Sequence, residues 1–564
     1  MNGYRKKPKG AIHYRHIGRY GEIASVLVKY GFGDILSRLN LERYFTAGRK
    51  IFRRKKTRQL RGISRWDRVR LSFEELGPTF IKLGQFASNR PDILPTELID
   101  ALEGLQDDVP PFDKEESVAL IESQLKKPVE ELFKTFQYVP FASASMAQVH
   151  KAELHDGTQV AVKVQRPDIT DMITVDLEIM YRIAFLMQKH VQGMEVFNPV
   201  QLVDEFASAI RKELDFTTEA LHFDHFRRNF EDDPTIYIPQ VFHQLTTKRV
   251  ITTEFINGIK ITNIKELCRK GHDPQEIARR GAIIVLKQIF RHGFFHADPH
   301  PGNILIKDDN TICILDLGMT GILTPTSRGY LSSIIIGIAN GDSKRIVRTL
   351  HEISDQQSRK GDELEYAMAE LIQEYASRPL GEINVGEILN RLSQILRAYR
   401  LRLIPGFYLL VKALVTIEGI GYKLDPRFNM LEHLEPFAKD LIKEQFSPRS
   451  VLRQSADSAQ DIFTFMRDLP NDARDIIALV KSGKVHLEFE HMGLNPFLKK
   501  IEQAANRLVF GIVLAALVMG SSIVVLSGIP PVVYGMPVIG LAGFVAAGLM
   551  GFWLLISILK HERM

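Results

Sequence analysis

The 564-residue sequence predicts an α+β chain, mostly helical, with a helical extension ahead of its core and a helical hairpin after it. Three observations carry this. Short apolar runs of strand length pair across polar turns at 149–164 and again at 304–315. Long segments before and after them repeat their apolar residues at helical spacing. From Leu508 to Leu559 no residue is charged.

The N-terminal extension is basic. Residues 1–70 hold 20 Lys/Arg against 4 Asp/Glu, a balance of +16; the chain nets +6, so the remainder carries −10. The stripe Arg53-Arg54-Lys55-Lys56 with Arg58 and Arg61 suits an anionic surface, either nucleic acid or a membrane leaflet. Residues 71–89 predict one amphipathic helix with an apolar stripe of Phe73, Leu76, Phe80, Leu83 and Ala87, ended by Arg90-Pro91-Asp92. Lys82, Gln85 and Asn89 share another face, and by pattern alone that face is solvated.

Val149–Leu154 and Gln159–Val164 read as strands joined by the hairpin turn His155-Asp156-Gly157-Thr158. The second strand contains Val160-Ala161-Val162-Lys163. Ahead of the pair stands Ala142-Ser143-Ala144-Ser145-Met146-Ala147-Gln148, small residues without glycine, in which Ser143 and Ser145 offer hydroxyl donors. The helical stretch 203–230 supplies Glu213, Asp215 and Glu219, and Glu219 is the first choice to hold Lys163. Val250–Glu254 reads as a strand entering a turn, with backbone groups at Glu254 for a base.

His296-Ala-Asp298-Pro-His300-Pro-Gly-Asn303 follows, then a short strand, a polar turn, a second strand and Asp316-Leu317-Gly318. Phosphoryl transfer needs a carboxylate near the attacking oxygen and hard oxygen ligands for Mg²⁺. Asp298 suits the first task, Asn303 and Asp316 the second. Lys163, H-x-D-x-x-x-x-N and D-x-G in this order are the motifs of the protein-kinase fold. The core is therefore expected to be protein-kinase-like and two-lobed. No A-P-E follows, and residues 325–440 read as helices of the larger lobe.

The uncharged run is too long for one span and breaks at Ser527-Gly528-Ile529-Pro530-Pro531. It reads as two transmembrane helices, 508–526 and 538–559, each near the ~20 residues a bilayer requires. Lys499, Lys500 and Arg507 precede it and Lys560, His561 and Arg563 follow it, which puts both ends on the cytoplasmic side. Gly543, Ala547 and Gly551 form a small-residue face for close packing. The membrane decides the basic stripe in favour of anionic lipid over nucleic acid. Two cysteines, Cys268 and Cys313, make no disulfide framework, and Cys313 reads as a small core residue. No apolar leader is recognisable near Met1.

The expected units are a basic helical extension (1–110), an N-lobe (111–258), a helical C-lobe (259–440), a helical connector broken at Pro448 and Pro470 (441–506) and two membrane helices (507–559).

Lys82-Leu83-Gly84-Gln85, Glu213-Leu214-Asp215 and the Ala/Ser loop, together with the kinase motifs, resemble the UbiB/AarF family of atypical kinase-like proteins. The resemblance covers roughly residues 60–440 and extends to the C-terminal hairpin of bacterial members. It implies that Lys82 and Gln85 are functional, and that the Lys82 helix folds over the acceptor site with its lysine near Glu213 and Asp215. It implies a Lys163–Glu219 pair, Asp298 as the catalytic-loop acid, Mg²⁺ on Asn303 and Asp316, and ATP or ADP beneath Ala142, Ser143, Ala144 and Ser145. It further implies a lipid-responsive ATPase linked to ubiquinone (isoprenoid quinone) biosynthesis at a bacterial-type inner membrane, its catalytic body cytoplasmic. Its partners would be anionic lipid and quinone-biosynthesis proteins or lipid precursors, with homodimerisation left open. The alternatives are a small-molecule or lipid kinase and a nucleotide-gated scaffold without catalysis. Phosphorylation of a protein in trans is disfavoured, because the Lys82 helix should exclude a bulky acceptor.

Overall fold

The computed structural model describes residues 9–33, 62–90, 94–105, 109–190, 198–354, 361–376, 385–399, 401, 403, 405–445, 494–533 and 536–561. The stripe Arg53 to Arg61, the Pro91-Asp92 stop and the prolines of the connector lie outside these residues. The chain divides into two compact units, Met1–Leu452 and Arg453–Met564.

In the first unit, strands β1 (Thr135–Phe136), β2 (Ala142–Ser143), β3 (Ala147–Glu153) and β4 (Gln159–Gln165) precede a helical insertion. Strands β5 (Ile236–Tyr237) and β6 (Val250–Glu254) follow it. An antiparallel sheet runs β1-β3-β4-β6, with β2 paired to β3. The twofold period of β4 decides its faces. Val160, Val162 and Val164 are fully buried in a cluster with Ile121 and Phe133. Lys163 therefore points to the other face, opposite Val149 on β3 and Ile251 on β6.

The larger part of this unit carries β7 (Ile259–Lys260), β8 (Phe294–His296), β9 (Ile304–Ile306), β10 (Ile312–Ile314) and β11 (Thr320–Ile322). A second sheet runs β5-β10-β9-β7, and β8 pairs separately with β11, His296 opposite Thr320. Both short sheets rest on one apolar core built with the helices Pro274–Leu286 and Pro405–Leu424. Cys313 is fully buried on the other face of the β5-β10-β9-β7 sheet with Leu305 and Ile256, as expected of a small core residue.

The amphipathic segment expected as one helix over 71–89 is two, Arg65–Leu76 and Pro78–Ser88. Gly77 breaks it at φ 90°, donating its N–H back to Phe73, and Pro78 starts the second helix where its missing N–H costs nothing. The stretch over 203–230 likewise splits into Pro199–Glu213 and Phe216–Asn229. Gly84 sits where helices touch: a Cβ there would overlap Leu105 and crowd Phe73. The Pro78–Ser88 helix thus packs through its glycine onto the segment ending at Leu105.

In the second unit, helices Leu494–Ser527 and Val538–His561 run antiparallel. The small-residue face makes the contact: Gly540 and Gly543 meet Ser521, Gly551 meets Leu514, and Ala547 is buried. Ala505–Ser527 has a mean hydropathy of 2.6 and is long and apolar enough to cross a membrane; the described apolar part of the second helix, Val538–Trp553, is shorter.

Candidate active site

The face of β4 that carries Lys163 looks toward two acids from elsewhere in the chain. Lys163 Nζ donates to both carboxylate oxygens of Glu219, at 3.0 and 2.9 Å, and to Asp316 Oδ2 at 3.2 Å. Burial disfavours the ammonium charge, but Asp316 and Glu219 outweigh it and hold Lys163 above the ordinary lysine range. Burial pushes the Glu219 carboxyl up to about 7 against the pull of Lys163, and the negative charge of Asp316 adds to the rise. Asp316 goes the other way: burial is outweighed by Lys163 and by the Gly318 N–H, at 2.8 Å, so it stays well below the usual carboxylate range. A charged lysine and an ionised Asp316 are what a phosphate- and metal-binding arrangement requires.

The helix Phe216–Asn229 positions more than Glu219. One turn on, His222 Nδ1 hydrogen-bonds to the Leu317 carbonyl oxygen at 2.8 Å, and its Nε2 lies 3.3 Å from the Thr320 hydroxyl. One helix face therefore grips Lys163 and the Asp316-Leu317-Gly318 turn together. His222 carries no motif; its i+3 spacing from Glu219 is the one signal that marks it.

The loop from His296 to Asn303 is held from below. A π turn, Lys287–His292, ends the Pro274–Leu286 helix and brings Gln288 under β8, where its Oε1 accepts the His296 N–H at 3.0 Å. His296 Nδ1 sits 3.0 Å from the Met319 carbonyl oxygen, and burial keeps the imidazole pKa low. The neutral ring therefore donates from Nδ1 and fastens the loop to the strand after Asp316. Asn303 and Asp316 are drawn together through the backbone, the Leu315 N–H donating to the Asn303 carbonyl at 2.9 Å. Asp298 lies beyond, half-exposed, and its Oδ1 meets Lys412 Nζ at 3.1 Å. Lys412 comes from the Pro405–Leu424 helix, and nothing in its local sequence marks it.

The signature acids separate. Glu213 ends its helix and pairs with Lys82 at 2.6 Å, so Lys82 is engaged and the face expected to be solvated is not. Asp215 is the N-cap of the next helix: its Oδ1 accepts from the Thr217 N–H at 3.1 Å and hydroxyl at 2.5 Å, and Lys248 lies 3.4 Å away. Those bonds outweigh burial and lower its pKa. The two acids do not act as a pair. Gln85 sits one turn beyond Lys82, and its carbonyl accepts from the Ser88 hydroxyl.

Of the loop 142–148, Gln148 belongs to the structure rather than to a ligand. It is fully buried, and its side chain bonds Phe112, Ser117 and His150. Ala142 and Ser143 form β2, and Ala144 closes a turn onto Ala147. The Ser143 and Ser145 hydroxyls are buried and have no partner among the described residues, which leaves two donors for an anionic oxygen. At Glu254 the N–H donates to Gln240, and the carboxylate accepts from the Tyr237 hydroxyl at 2.7 and 2.9 Å. Its amide is therefore committed within the protein.

No cluster of three or more His, Cys, Asp or Glu side chains among the described residues makes a metal site. Asn303 and Asp316 would supply two hard oxygen ligands, a set that suits Mg²⁺, since that ion takes its remaining ligands from phosphate and water.

Fold and cleft together define a protein-kinase-like chain. Residues 104–350 match the ABC1 atypical kinase-like domain, 368–429 the UbiB helical domain and 492–560 the ABC1/UbiB kinase-like C-terminal domain. The chain belongs to the ABC1/UbiB family of atypical kinase-like proteins. It is similar to a probable protein kinase UbiB of Pseudomonas fluorescens, 36% identical over 82% of this chain and 87% of that one. The corresponding protein of Marinobacter nauticus is 36% identical over 75% and 78% of the two chains. An uncharacterised protein from the hydrogenase 1 5′ region of Clostridium pasteurianum is 32% identical over 96% and 98%.

Proposed function

We propose that the chain is a membrane-anchored, Mg²⁺-dependent ATPase that supports ubiquinone (isoprenoid quinone) biosynthesis. The observation that carries this is the Lys163–Glu219–Asp316 network, a charged lysine held bidentate beside an ionised metal carboxylate. Lys163 would take the nucleotide phosphates, with the Ser143 and Ser145 hydroxyls as further donors. Asn303 and Asp316 would hold Mg²⁺, which when bound neutralises and aligns the phosphates. Asp298 would orient the acceptor and take its proton. Lys82, held by Glu213 beside this cleft, favours water or a small precursor over a protein as acceptor.

The link to quinone synthesis rests on the family. Both apolar helices of the second unit carry exposed large side chains, among them Leu508, Ile523, Leu549 and Phe552, which suits two spans in lipid. With basic residues at both ends of the hairpin, the kinase-like body would face the cytoplasm. Anionic lipid and quinone-biosynthesis proteins or precursors are the proposed partners, and a homodimer is compatible with this arrangement.

Phosphate release by the purified full chain tests the reading, with and without anionic liposomes and a phenolic quinone precursor. Turnover that rises with liposomes is expected; no release under any of these conditions would overturn it. The half-exposed Asp298 carboxylate also favours a second reading, a small-molecule or lipid kinase. That reading requires label from γ-phosphate to appear in a membrane lipid extract instead of as free phosphate. Full quinone production by the Asp298→Asn variant would leave only the non-catalytic scaffold.

A further inference from the structure

The catalytic loop lacks a cation of its own. Pro299-His300-Pro301-Gly302 fills the interval between Asp298 and Asn303 without Lys or Arg, and His300 Nδ1 is taken by the Gly302 N–H at 3.1 Å. A transferring phosphoryl group spreads charge over three oxygens and needs positive groups around it. Lys163 stands on the sheet side of the cleft. Lys412 is held at Asp298 by an element more than a hundred residues later in the chain, and Asp316, Asp298 and Lys412 all act on the His296 ring.

Lys412 does not behave as a solvated helix lysine. Its side chain is 26% exposed, and its helix is otherwise sunk into the core through Leu410, Ala413 and Ile417. Tyr408, one turn earlier on the same face, is buried beneath the Arg90 guanidinium at 5.3 Å from the ring centroid. The field of Lys412 reaches His296 in the loop and Glu103 on the Thr96–Glu103 helix. The ammonium thus sits where the catalytic loop, the N-terminal extension and the larger lobe converge.

We propose that Lys412 is a catalytic residue: it supplies the positive charge at the γ-phosphate that the loop lacks, and its contact with Asp298 is the resting state of that charge. The proposal rests on the ATPase reading above and adds a residue to it. With triphosphate in the cleft, Lys412 exchanges Asp298 Oδ1 for a γ-phosphate oxygen. In hydrolysis a bond forms from the water oxygen to the γ-phosphorus as the bond from that phosphorus to the bridging oxygen breaks. The electron pair stays with ADP, and the water proton passes to the Asp298 carboxylate that Lys412 has released. Products are ADP and inorganic phosphate.

The test uses the full chain in anionic vesicles and measures phosphate release alongside Mg²⁺-dependent binding of ADP and ATPγS. Lys412→Met should lower kcat ~100-fold, weaken ATPγS and leave ADP unchanged, because only the γ-phosphate meets this lysine. Lys412→Arg keeps the charge and should keep the preference for ATPγS while turning over more slowly. Wild-type kcat in Lys412→Met, equal losses for both nucleotides, or loss of the preference in Lys412→Arg would each overturn the assignment. If the wild type releases no phosphate, the ATPase reading fails, yet the ATPγS-to-ADP ratio of wild type against the two variants still decides Lys412. A misfolded Lys412→Met, seen as a lost thermal transition, shifts the decision to Lys412→Arg.

Discussion

The two sides of the cleft recruit their lysines differently. On the sheet side, Lys163 is gripped by two acids at once, Glu219 bidentate and Asp316 from the following turn. On the side proposed for the acceptor, each lysine arrives on another helix: Lys82 meets Glu213, and Lys412 meets Asp298. The first arrangement is a closed network centred on the buried Glu219 carboxylate, so removing Lys163 leaves a buried acid without its partner. The second is a set of pairs whose geometry depends on where helices dock. Charge on the side proposed for the nucleotide is therefore centred on a buried carboxylate, while charge on the side proposed for the acceptor comes from pairs brought by the Pro78–Ser88 and Pro405–Leu424 helices.

The largest expected effect lies on the sheet side. Lys163→Met or Asp316→Asn should each lower phosphate release by ~100- to 1000-fold. Steady-state kinetics on the membrane-reconstituted chain check this, and activity within tenfold of wild type in either variant would sink the sheet-side network as the catalytic core.

A smaller effect comes from pH. Glu219 has a folded pKa of about 7, above its ordinary 4.5. Its ionised form holds Lys163, so nucleotide affinity should fall as pH drops through about 7. Stability has the opposite sign: a raised acid pKa means the folded state binds the extra proton. This contribution is present below 4.5 and lost as pH rises through about 7. Nucleotide titrations at pH 6 and 8 should show the step in wild type and not in Glu219→Gln. The same step in both proteins would assign it elsewhere.

Legibility in the sequence follows the same division. The strands 304–306 and 312–314 read nearly to the residue, because two apolar runs across Lys307-Asp308-Asp309-Asn310 admit one pairing. Lys163, Glu219, Asp298, Asn303 and Asp316 follow from motif order, and Lys163 meets Glu219 and Asp316 as that order implies. The helix break at Gly77 was hidden because the apolar stripe runs through it without a change of phase. The Ile169–His190 helix was not anticipated, although it packs its apolar face with Phe80 and Phe206. Lys412 and His222 act across the fold, and no local period records a partner so far along the chain. Gln148, grouped by position with the loop, turns inward because β3 begins at Ala147 and alternation places it in the buried layer.

On the acceptor side the expected magnitudes are lower. Lys82 and Glu213 are 17% and 26% exposed, so solvent screens part of their attraction. A double-mutant cycle with Lys82→Ala and Glu213→Gln should give a coupling of ~1 kcal/mol in thermal unfolding. Proteolysis in the Pro78–Ser88 helix should rise in both single variants. A coupling near zero would mean that the Lys82–Glu213 pair does not hold the helix, leaving Gly84 packing to seat it.

The smallest effect separates a structural acid from a chemical one. Asp215 lies two residues from Glu213 and shares its signature, yet its Oδ1 is spent on the Thr217 N–H and hydroxyl. Removing an N-cap costs ~1 kcal/mol, while a serine in its place keeps most of the cap. Asp215→Ala should therefore lower the unfolding temperature, and Asp215→Ser should restore it with turnover unchanged. The helix that Asp215 caps carries Glu219 and His222, so fraying its first turn would loosen Lys163 as well. Asp215→Ala should consequently weaken nucleotide binding slightly, in step with its loss of stability. If Asp215→Ser instead keeps stability but loses turnover, the carboxylate acts on the acceptor. A second carboxylate, in addition to Asp298, would then act on the acceptor.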